Sequence, residues 1–230
     1  MRARVAVLWP LLLPSRCHAC GRTLERPPRR WPRWDPLCED CARRLRRDGR
    51  LRRVPGGPPL LAAYTAEPAL LALVKGWKYA GRDGPVPDLI DALAATLAGA
   101  PWPRPWRLLP VPMPPWRRLA RGFNQSEVLA RGVARRLGLA PPDACLRRRF
   151  LAGRQAGRGR AERLARARRE FAARAAPPAA GSLVLVDDLC TTGATLRACA
   201  EALPAAARPR VRALVLARVG RAVLDSAKDA

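Results

Sequence analysis

The stretch LVLVDDLCTTGATLRAC, residues 183–199, constrains the fold more than any other part of the chain. Leu183 to Val186 form a continuous apolar run, which is typical of a parallel strand buried on both faces. We expect this strand to span 182–188 and to end at two adjacent carboxylates, Asp187 and Asp188. A Thr/Gly loop and a helix over 193–203 follow, so the stretch predicts one strand–loop–helix unit of an α/β fold.

The rest of the chain repeats this alternation of strands and helices. The pattern predicts strands over 60–66, at the end of 101–113 and over 211–219, and helices over 67–81, 85–99 and 124–139, the last capped by Asn124. Such alternation favours a mostly parallel central sheet with helices on both faces. With 49% apolar residues, the chain can bury a core of that size.

The loop after the acid pair has the chemistry of a phosphate site. Ligands of open α/β sheets bind beyond the carboxyl ends of the strands. Gly193 allows close backbone approach, and threonine hydroxyls with free amides at a helix start can hold a phosphate; the loop residues are Thr191, Thr192, Gly193, Ala194 and Thr195. The two carboxylates would repel a phosphate but accept hydrogen bonds from sugar hydroxyls, so the whole unit suits a sugar 5-phosphate.

Four of the seven cysteines predict a structural zinc site. Cys17 with Cys20, and Cys38 with Cys41, form two C-x-x-C pairs that are seventeen residues apart, which is a spacing typical of four-thiolate zinc sites. The alternative is a pair of disulfides. A complete shell of four cysteines leaves no position for substrate, so we expect the metal to stabilise a small N-terminal unit. Unpaired by spacing, the other three cysteines are expected to be small buried residues, namely Cys145, Cys190 and Cys199.

The charge of the chain favours polyanionic partners. Its 44 Lys and Arg against 18 Asp and Glu give a formal net charge of +26. Only three of the basic residues are lysines, so the excess can also reflect a coding bias toward arginine. Residues 1–13 imitate a secretory signal, but Pro10 interrupts the apolar run and no cleavage site follows. We therefore expect a leader packed on the body of a cytoplasmic protein without a membrane span.

A family resemblance rests on several motifs that occur in a fixed order. VLVDDLCTTGAT resembles the phosphoribosyl-pyrophosphate (PRPP) signature of type I phosphoribosyltransferases. Together with the four-cysteine unit it resembles the competence protein ComF family, also called the GntX type, over about residues 10–218, through the segments KGWKYAG (75–81), LLPVPMPPWRRLARGFNQSEVLA (108–130) and RQAGRGRAERLARARREF (154–171). We expect an apolar leader and a zinc-ribbon-like four-cysteine unit over 1–45, a basic, Gly/Pro-rich linker over 46–59 and a frayed tail over 222–230. The resemblance implies a phosphoribosyltransferase-like domain over 60–221.

The resemblance also implies residue roles. Asp187 and Asp188 would hold the ribose hydroxyls, and Thr191 to Thr195 the 5′-phosphate. The pyrophosphate with Mg²⁺ would bind a turn that contributes Arg117, Arg118, Arg121 and Gly122, and Arg121 would join the two aspartates as a catalytic residue. Lys75 and Lys78 would add charge, unless they form a solvated helix face. The segment 154–171 would be a mobile hood with Gln155 and Arg163, unless it is a solvated basic helix.

Two departures from the family pattern bear on activity. Arg166 stands where the family usually has Asn, and Thr191 stands where purine-salvage relatives often carry a catalytic Asp. Base catalysis toward a nucleobase is therefore doubtful.

Three functions stay open. The first is phosphoribosyl transfer from Mg²⁺–PRPP to a nitrogen acceptor. The second is non-catalytic sensing of PRPP or another nucleotide. The third, a single-stranded-DNA accessory factor, follows from the resemblance, which implies a part in DNA uptake with competence proteins. The zinc unit, the arginine-rich linker, Trp31 and Trp34 would supply cationic and stacking contacts.

Overall fold

The computed structural model describes residues 16–17, 19–23, 37–79, 86–149 and 170–220. Several sequence predictions lie outside these residues: the leader 1–13, Trp31 and Trp34, the end of the helix predicted over 67–81, Gln155, Arg163 and Arg166 of the hood, and the tail 222–230. None of the helices in the described ranges is long and apolar enough to cross a membrane.

The described chain alternates strands with helices, as the sequence predicts. The strands are β1 (Arg52–Arg53), β2 (Pro59–Thr65), β3 (Trp106–Pro110), β4 (Leu146–Arg148), β5 (Phe171–Ala173), β6 (Ser182–Cys190) and β7 (Val211–Arg218). The helices are α1 (Glu39–Arg43), α2 (Pro68–Tyr79), α3 (Val86–Ala98), α4 (Pro115–Arg121), α5 (Gln125–Arg136) and α6 (Ala194–Ala202), with a 3₁₀ helix at Ala205–Arg210.

A five-stranded sheet forms the centre of the molecule, in the order β1-β2-β7-β6-β3. β2, β7, β6 and β3 are parallel, and β1 pairs antiparallel with β2 at the edge. The prediction of a mixed α/β fold with a mostly parallel sheet is therefore confirmed. β4 and β5 form a separate antiparallel pair.

Both faces of the sheet are covered because β6 is apolar on both faces. Val184 and Val186 pack with residues of α2, α3 and α5, while Leu183 and Leu185 pack with residues of α6, the 3₁₀ helix and the β4–β5 pair. Because both faces of the sheet are covered, the polar side chains of this part of the molecule lie at the carboxyl ends of β3 and β6.

Asn124 joins the end of β3 to the start of α5. Its side-chain oxygen accepts a hydrogen bond from Ser126 N (3.1 Å), which confirms the predicted cap, and its Nδ2 donates to the carbonyl oxygen of Val111 (3.0 Å). The start of α5 is thereby held against the end of the sheet.

Part of the stretch predicted as a linker pairs with the sheet. Thr65 N donates to Arg46 O and Gly49 N donates to Ala62 O, each at 2.9 Å, and β1 continues this pairing along β2. The Asp48 side chain is only 2% exposed and lies 3.1 Å from Arg52 and 3.8 Å from Arg218. These contacts cover the edge of β2, whose backbone groups would otherwise be unpaired. The limits of the predicted domains stay a prediction.

Two boundaries differ from the sequence prediction. β6 does not end at the acid pair but continues to Cys190, because Leu189 and Cys190 still pair with Ala217 and Arg218 of β7. The predicted turn through Arg117 and Arg118 is largely the helix α4.

Candidate functional site

The acid pair lies where the sequence predicts it, toward the carboxyl end of a central parallel strand. Asp187 Oδ1 accepts two hydrogen bonds at 2.9 Å, one from the hydroxyl of Ser126 and one from the backbone amide of Asp188. Ser126 is buried in the first turn of α5, so the cap at Asn124 also positions the hydroxyl that meets Asp187.

Asp187 is a carboxyl that resists ionisation. Burial, and then the charge of Asp188, raise the pKa of Asp187 from 3.8 to about 7. The hydrogen bonds from Ser126 and from the Asp188 amide, and the charge of Lys78, act in the opposite direction. Near neutral pH this carboxyl is therefore divided between its protonated and ionised forms.

Asp188 is held by an ion pair with Lys78. The ammonium nitrogen lies 2.6 Å from Asp188 Oδ2, with side chains that are 21% exposed for Lys78 and 15% for Asp188. Asp188 Oδ1 accepts from the amide of Leu189 at 2.8 Å. Of the two predicted lysines, Lys78 thus reaches the acids, while Lys75, almost one turn earlier in α2, is exposed to solvent.

The loop after the acids is a tight glycine turn into α6. Gly193 is buried with φ +76°, and a Cβ atom there would lie 2.3 Å from Val54 Cγ1. Both features require glycine at this position. Thr191 and Thr192 are exposed, Ala194 begins α6, and the exposed Thr195 lies in its first turn. Three hydroxyls therefore stand beside the start of a nine-residue helix.

The predicted arginines lie on α4, which leads directly into α5. Arg117 and Arg118 are exposed, Arg121 is half-buried, and Gly122 ends the helix with φ +75°. Arg118 is committed to an ion pair with Glu127 at 2.7 Å. The ion pair neutralises Arg118, so Arg117 and Arg121 are the members of this group that remain candidates for binding an anion.

The structure adds one residue that sequence reasoning missed. Ser126 was not singled out, although it follows the Asn124 cap by two residues, and it contacts an acid sixty-one positions away. A hydroxyl in the first turn of a capped helix was the signal available. Contacts join Asp187, Asp188, Lys78 and Ser126 into one cluster.

A separate cluster is formed by the four N-terminal cysteines. Their sulfur atoms all lie within 4.8 Å of one another, close enough to hold one metal ion such as zinc. Cys20 Sγ and Cys38 Sγ are 3.7 Å apart, too far for a disulfide, whereas tetrahedral Zn–S bonds of about 2.3 Å place sulfurs about 3.8 Å apart. Arg22 and Asp40 form an ion pair at 2.9 Å between the two C-x-x-C segments.

The thiols of this cluster differ in acidity. Burial alone would raise the pKa of Cys17, but hydrogen bonds from the backbone amides of Cys20, Cys38 and Ala19 lower it to about 6. Burial and the neighbouring sulfurs raise the pKa of Cys41 to about 12. At least one thiolate is thus present near neutral pH to start metal binding. The other cysteines are buried, as predicted: Cys145, Cys190 and Cys199.

Comparisons with family models and with curated proteins identify no relative, so the function is inferred from the residues of the chain itself. No family model matches the chain, and none of the curated proteins matches it significantly. The fold and the two clusters define an α/β protein with a mostly parallel sheet, an acid pair at its carboxyl edge and a four-cysteine cluster suited to a metal ion.

Proposed function

We propose that the chain binds PRPP with Mg²⁺ at the acid pair and the loop that follows it. One observation carries the proposal: two adjacent carboxylates lie near the end of a buried parallel strand, and the last residues of that strand lead into the glycine turn that starts α6. A phosphorylated ribose presents hydroxyls at one end and a phosphate at the other. Asp187 and Asp188 would accept from the hydroxyls, and the loop Thr191–Thr195 would bind the 5′-phosphate.

The proposed class is a phosphoribosyltransferase-like protein of the ComF type. The ordered motifs support it, and so does a four-cysteine cluster with distances suited to zinc. The parallel sheet and its polar carboxyl edge are consistent with a type I phosphoribosyltransferase fold. In this proposal the N-terminal unit holds zinc for stability, and the resemblance implies a role in DNA uptake.

The chemistry would be phosphoribosyl transfer to a nitrogen nucleophile. The C1–O bond to pyrophosphate breaks while the nitrogen bonds to C1, through a centre that carries positive charge. Asp187 and Asp188 would orient the ribose, and Arg117 and Arg121 would neutralise the departing pyrophosphate. Mg²⁺, which enters with the substrate, would supply further charge for the diphosphate.

A second candidate is non-catalytic sensing of PRPP. The observation that favours it is Thr191, which is exposed at the point where a catalytic carboxylate stands in purine-salvage relatives. A hydroxyl does not accept a proton near neutral pH, so a nucleobase acceptor would need another base.

Calorimetric titration with PRPP and Mg²⁺ tests the binding proposal. The double variant Asp187→Asn with Asp188→Asn is expected to lose binding and keep its circular dichroism spectrum. The matched control is Asp91→Asn with Asp143→Asn, which removes two carboxylates that pair with Arg136 and Arg107 elsewhere. Unchanged binding in the first variant, or an equal loss in the control, would contradict the assignment.

Pyrophosphate release separates the two candidates. Release that depends on one nitrogen compound from a panel of bases and amines identifies the enzyme and its acceptor. PRPP binding without release for any member of the panel favours the sensor.

A further inference from the structure

A cavity of about 470 Å³ lies at the opposite end of the sheet from the acid pair. Pro59 and Val211, the first residues of β2 and β7, line it, so it opens at the amino ends of the strands. Asp187 and Asp188 lie toward the carboxyl end of β6, which is parallel to β7. The cavity is therefore separate from the proposed PRPP site, and its volume suits a small ligand.

The lining of this cavity is strongly cationic. Four arginines and one glutamate are among the residues that line it: Arg53, Arg197, Arg208, Arg212 and Glu201. They come from four different elements, namely β1, α6, the 3₁₀ helix and β7. The fold, and not one run of arginines in the sequence, brings these side chains together. The high arginine content of the chain alone is therefore a weaker explanation for the cluster.

Two of these arginines repel each other. Burial, and then the positive charge of Arg53, lower the pKa of Arg212. The Nη1 of Arg212 donates to the carbonyl oxygens of Pro209 (2.8 Å) and Val211 (2.9 Å), which fixes the guanidinium at the cavity. Arg53 is exposed to solvent. An anion between the two guanidiniums would relieve this repulsion.

Buried donors without partners also line the cavity. Trp102 is 6% exposed, and its Nε1 has no hydrogen-bond partner within the described part of the chain. The same holds for Nε of Arg197, whose Nη1 is fixed by the carbonyl oxygen of Pro55 at 3.2 Å. Both nitrogens have almost no accessible surface, so a ligand in the cavity contacts the exposed parts of the lining arginines rather than these two atoms.

From these observations we infer that the cavity binds a small diphosphate, either free pyrophosphate or the diphosphate group of a nucleotide. The four arginines and one glutamate leave an excess of three positive charges, and two linked phosphoryl groups carry about three negative charges near neutral pH. Arg53 and Arg212 bind opposite ends of the diphosphate, and Arg197 and Arg208 add positive charge to the lining. This site does not depend on PRPP binding at the acid pair.

Hydrogen–deuterium exchange with millimolar inorganic pyrophosphate or ADP tests the inference. Peptides that cover 205–213 are the reporter specific to the cavity, because 51–59 contains Val54, which contacts Gly193 of the proposed PRPP loop. Either ligand is expected to slow exchange in peptides that cover 51–59 and 205–213. If pyrophosphate protects these peptides and ADP does not, the ligand is the free anion. If ADP protects them and pyrophosphate does not, the ligand is a nucleotide. The absence of protection at these peptides with both ligands overturns the inference.

Variants show whether the arginines carry the binding. Arg53→Ala with Arg212→Ala is expected to weaken the protection of 51–59 and 205–213 by about tenfold or more, since hydrogen bonds from charged donors are lost. Protection at 187–196 by PRPP should persist, so failure here and failure of the PRPP proposal are distinguishable. The single variant Arg53→Glu, at an exposed position, serves if the double variant does not fold.

The control for charge is Arg131→Ala with Arg135→Ala, on the exposed face of α5. It removes the same formal charge and is expected to leave the cavity peptides protected. An equal loss in this control would show that net charge alone explains the effect and would overturn the assignment to the cavity.

Discussion

Asp187→Asn is expected to stabilise the protein at alkaline pH while it removes PRPP binding. Asn keeps an oxygen that accepts from Ser126 and from the Asp188 amide, but it does not ionise. The pKa of Asp187 is about 7 in the folded protein, against 3.8 for an ordinary aspartate carboxyl. At 1.36 kcal/mol for each pKa unit, the difference corresponds to roughly 4 kcal/mol of stability lost when this carboxyl ionises in the folded chain.

The sign of the pH dependence follows from proton binding. Between about pH 4 and pH 7 the folded state holds a proton on Asp187 that the unfolded state has released. The free energy of unfolding of the native chain therefore falls as the pH rises through this window. The advantage of Asp187→Asn over the native chain should grow by about 2–3 kcal/mol between pH 5 and pH 8.

Urea unfolding of both proteins at pH 5, 6, 7 and 8, followed by circular dichroism, measures this difference. Titration of the cysteine cluster is common to both chains and cancels in the comparison. Ser126→Ala is the second arm: it removes a hydrogen bond that lowers the pKa of Asp187, so the fall in stability should continue further toward pH 8. A constant difference between pH 5 and pH 8, or an Asn variant that is less stable at pH 8, would refute the reasoning.

Three further predictions concern the metal cluster, the ion pair and the glycine turn. The purified chain should carry about one zinc per molecule by elemental analysis, and Cys38→Ser should lower both the zinc content and the melting temperature; metal-free protein of unchanged stability would contradict this. Lys78→Met should lower the free energy of unfolding by about 2–4 kcal/mol because it leaves Asp188 unpaired. Arg136→Ala should change it by less than about 1 kcal/mol, because both side chains of the Arg136–Asp91 pair are almost half exposed. Similar losses in the two variants would argue against a special environment of the acids. Gly193→Ala should lower the free energy of unfolding, measured with urea, by about 2–4 kcal/mol because of the positive φ and the contact with Val54. Gly138→Ala, where φ is also positive but the surrounding space is open, should cost about 1 kcal/mol. Equal costs would show that the contact with Val54 is unimportant.

Elements with an apolar pattern could be predicted from the sequence. The run Leu183–Val186 identified a strand buried on both faces, and Asn124 identified the start of α5, because burial and capping both act over a few residues. The cysteine spacing likewise predicted a cluster whose sulfurs lie within 4.8 Å of one another. In each case the residues that form the local sequence pattern are the same residues that make the contact in the folded protein, so the pattern predicts the contact.

Elements without such a pattern could not be predicted. Residues 46–53 are arginine-rich, and they pair with β2 because that strand needs a partner at its edge, not because of their own propensity. Helix α4 buries none of its side chains, so it has no apolar periodicity to detect. The strand β6 continues past its acids because β7 offers backbone partners as far as Arg218. The polar side chains of the two acids hide this continuation of the strand from a prediction based on the apolar pattern.

The neighbours of the acid pair explain how the chain tolerates two adjacent carboxylates that would otherwise repel each other. Lys78 supplies an ammonium group to Asp188, and Ser126 supplies a hydroxyl to Asp187. In the proposed complex the ribose hydroxyls would offer the same kind of donor that Ser126 offers now, so binding would replace one hydrogen-bond donor with another rather than create a new environment for the acids. Lys78 would then be free to turn toward the diphosphate. The partners that stabilise the unliganded chain are therefore chemically matched to the ligand, and this match is the physical reason to expect a sugar phosphate at this end of the sheet.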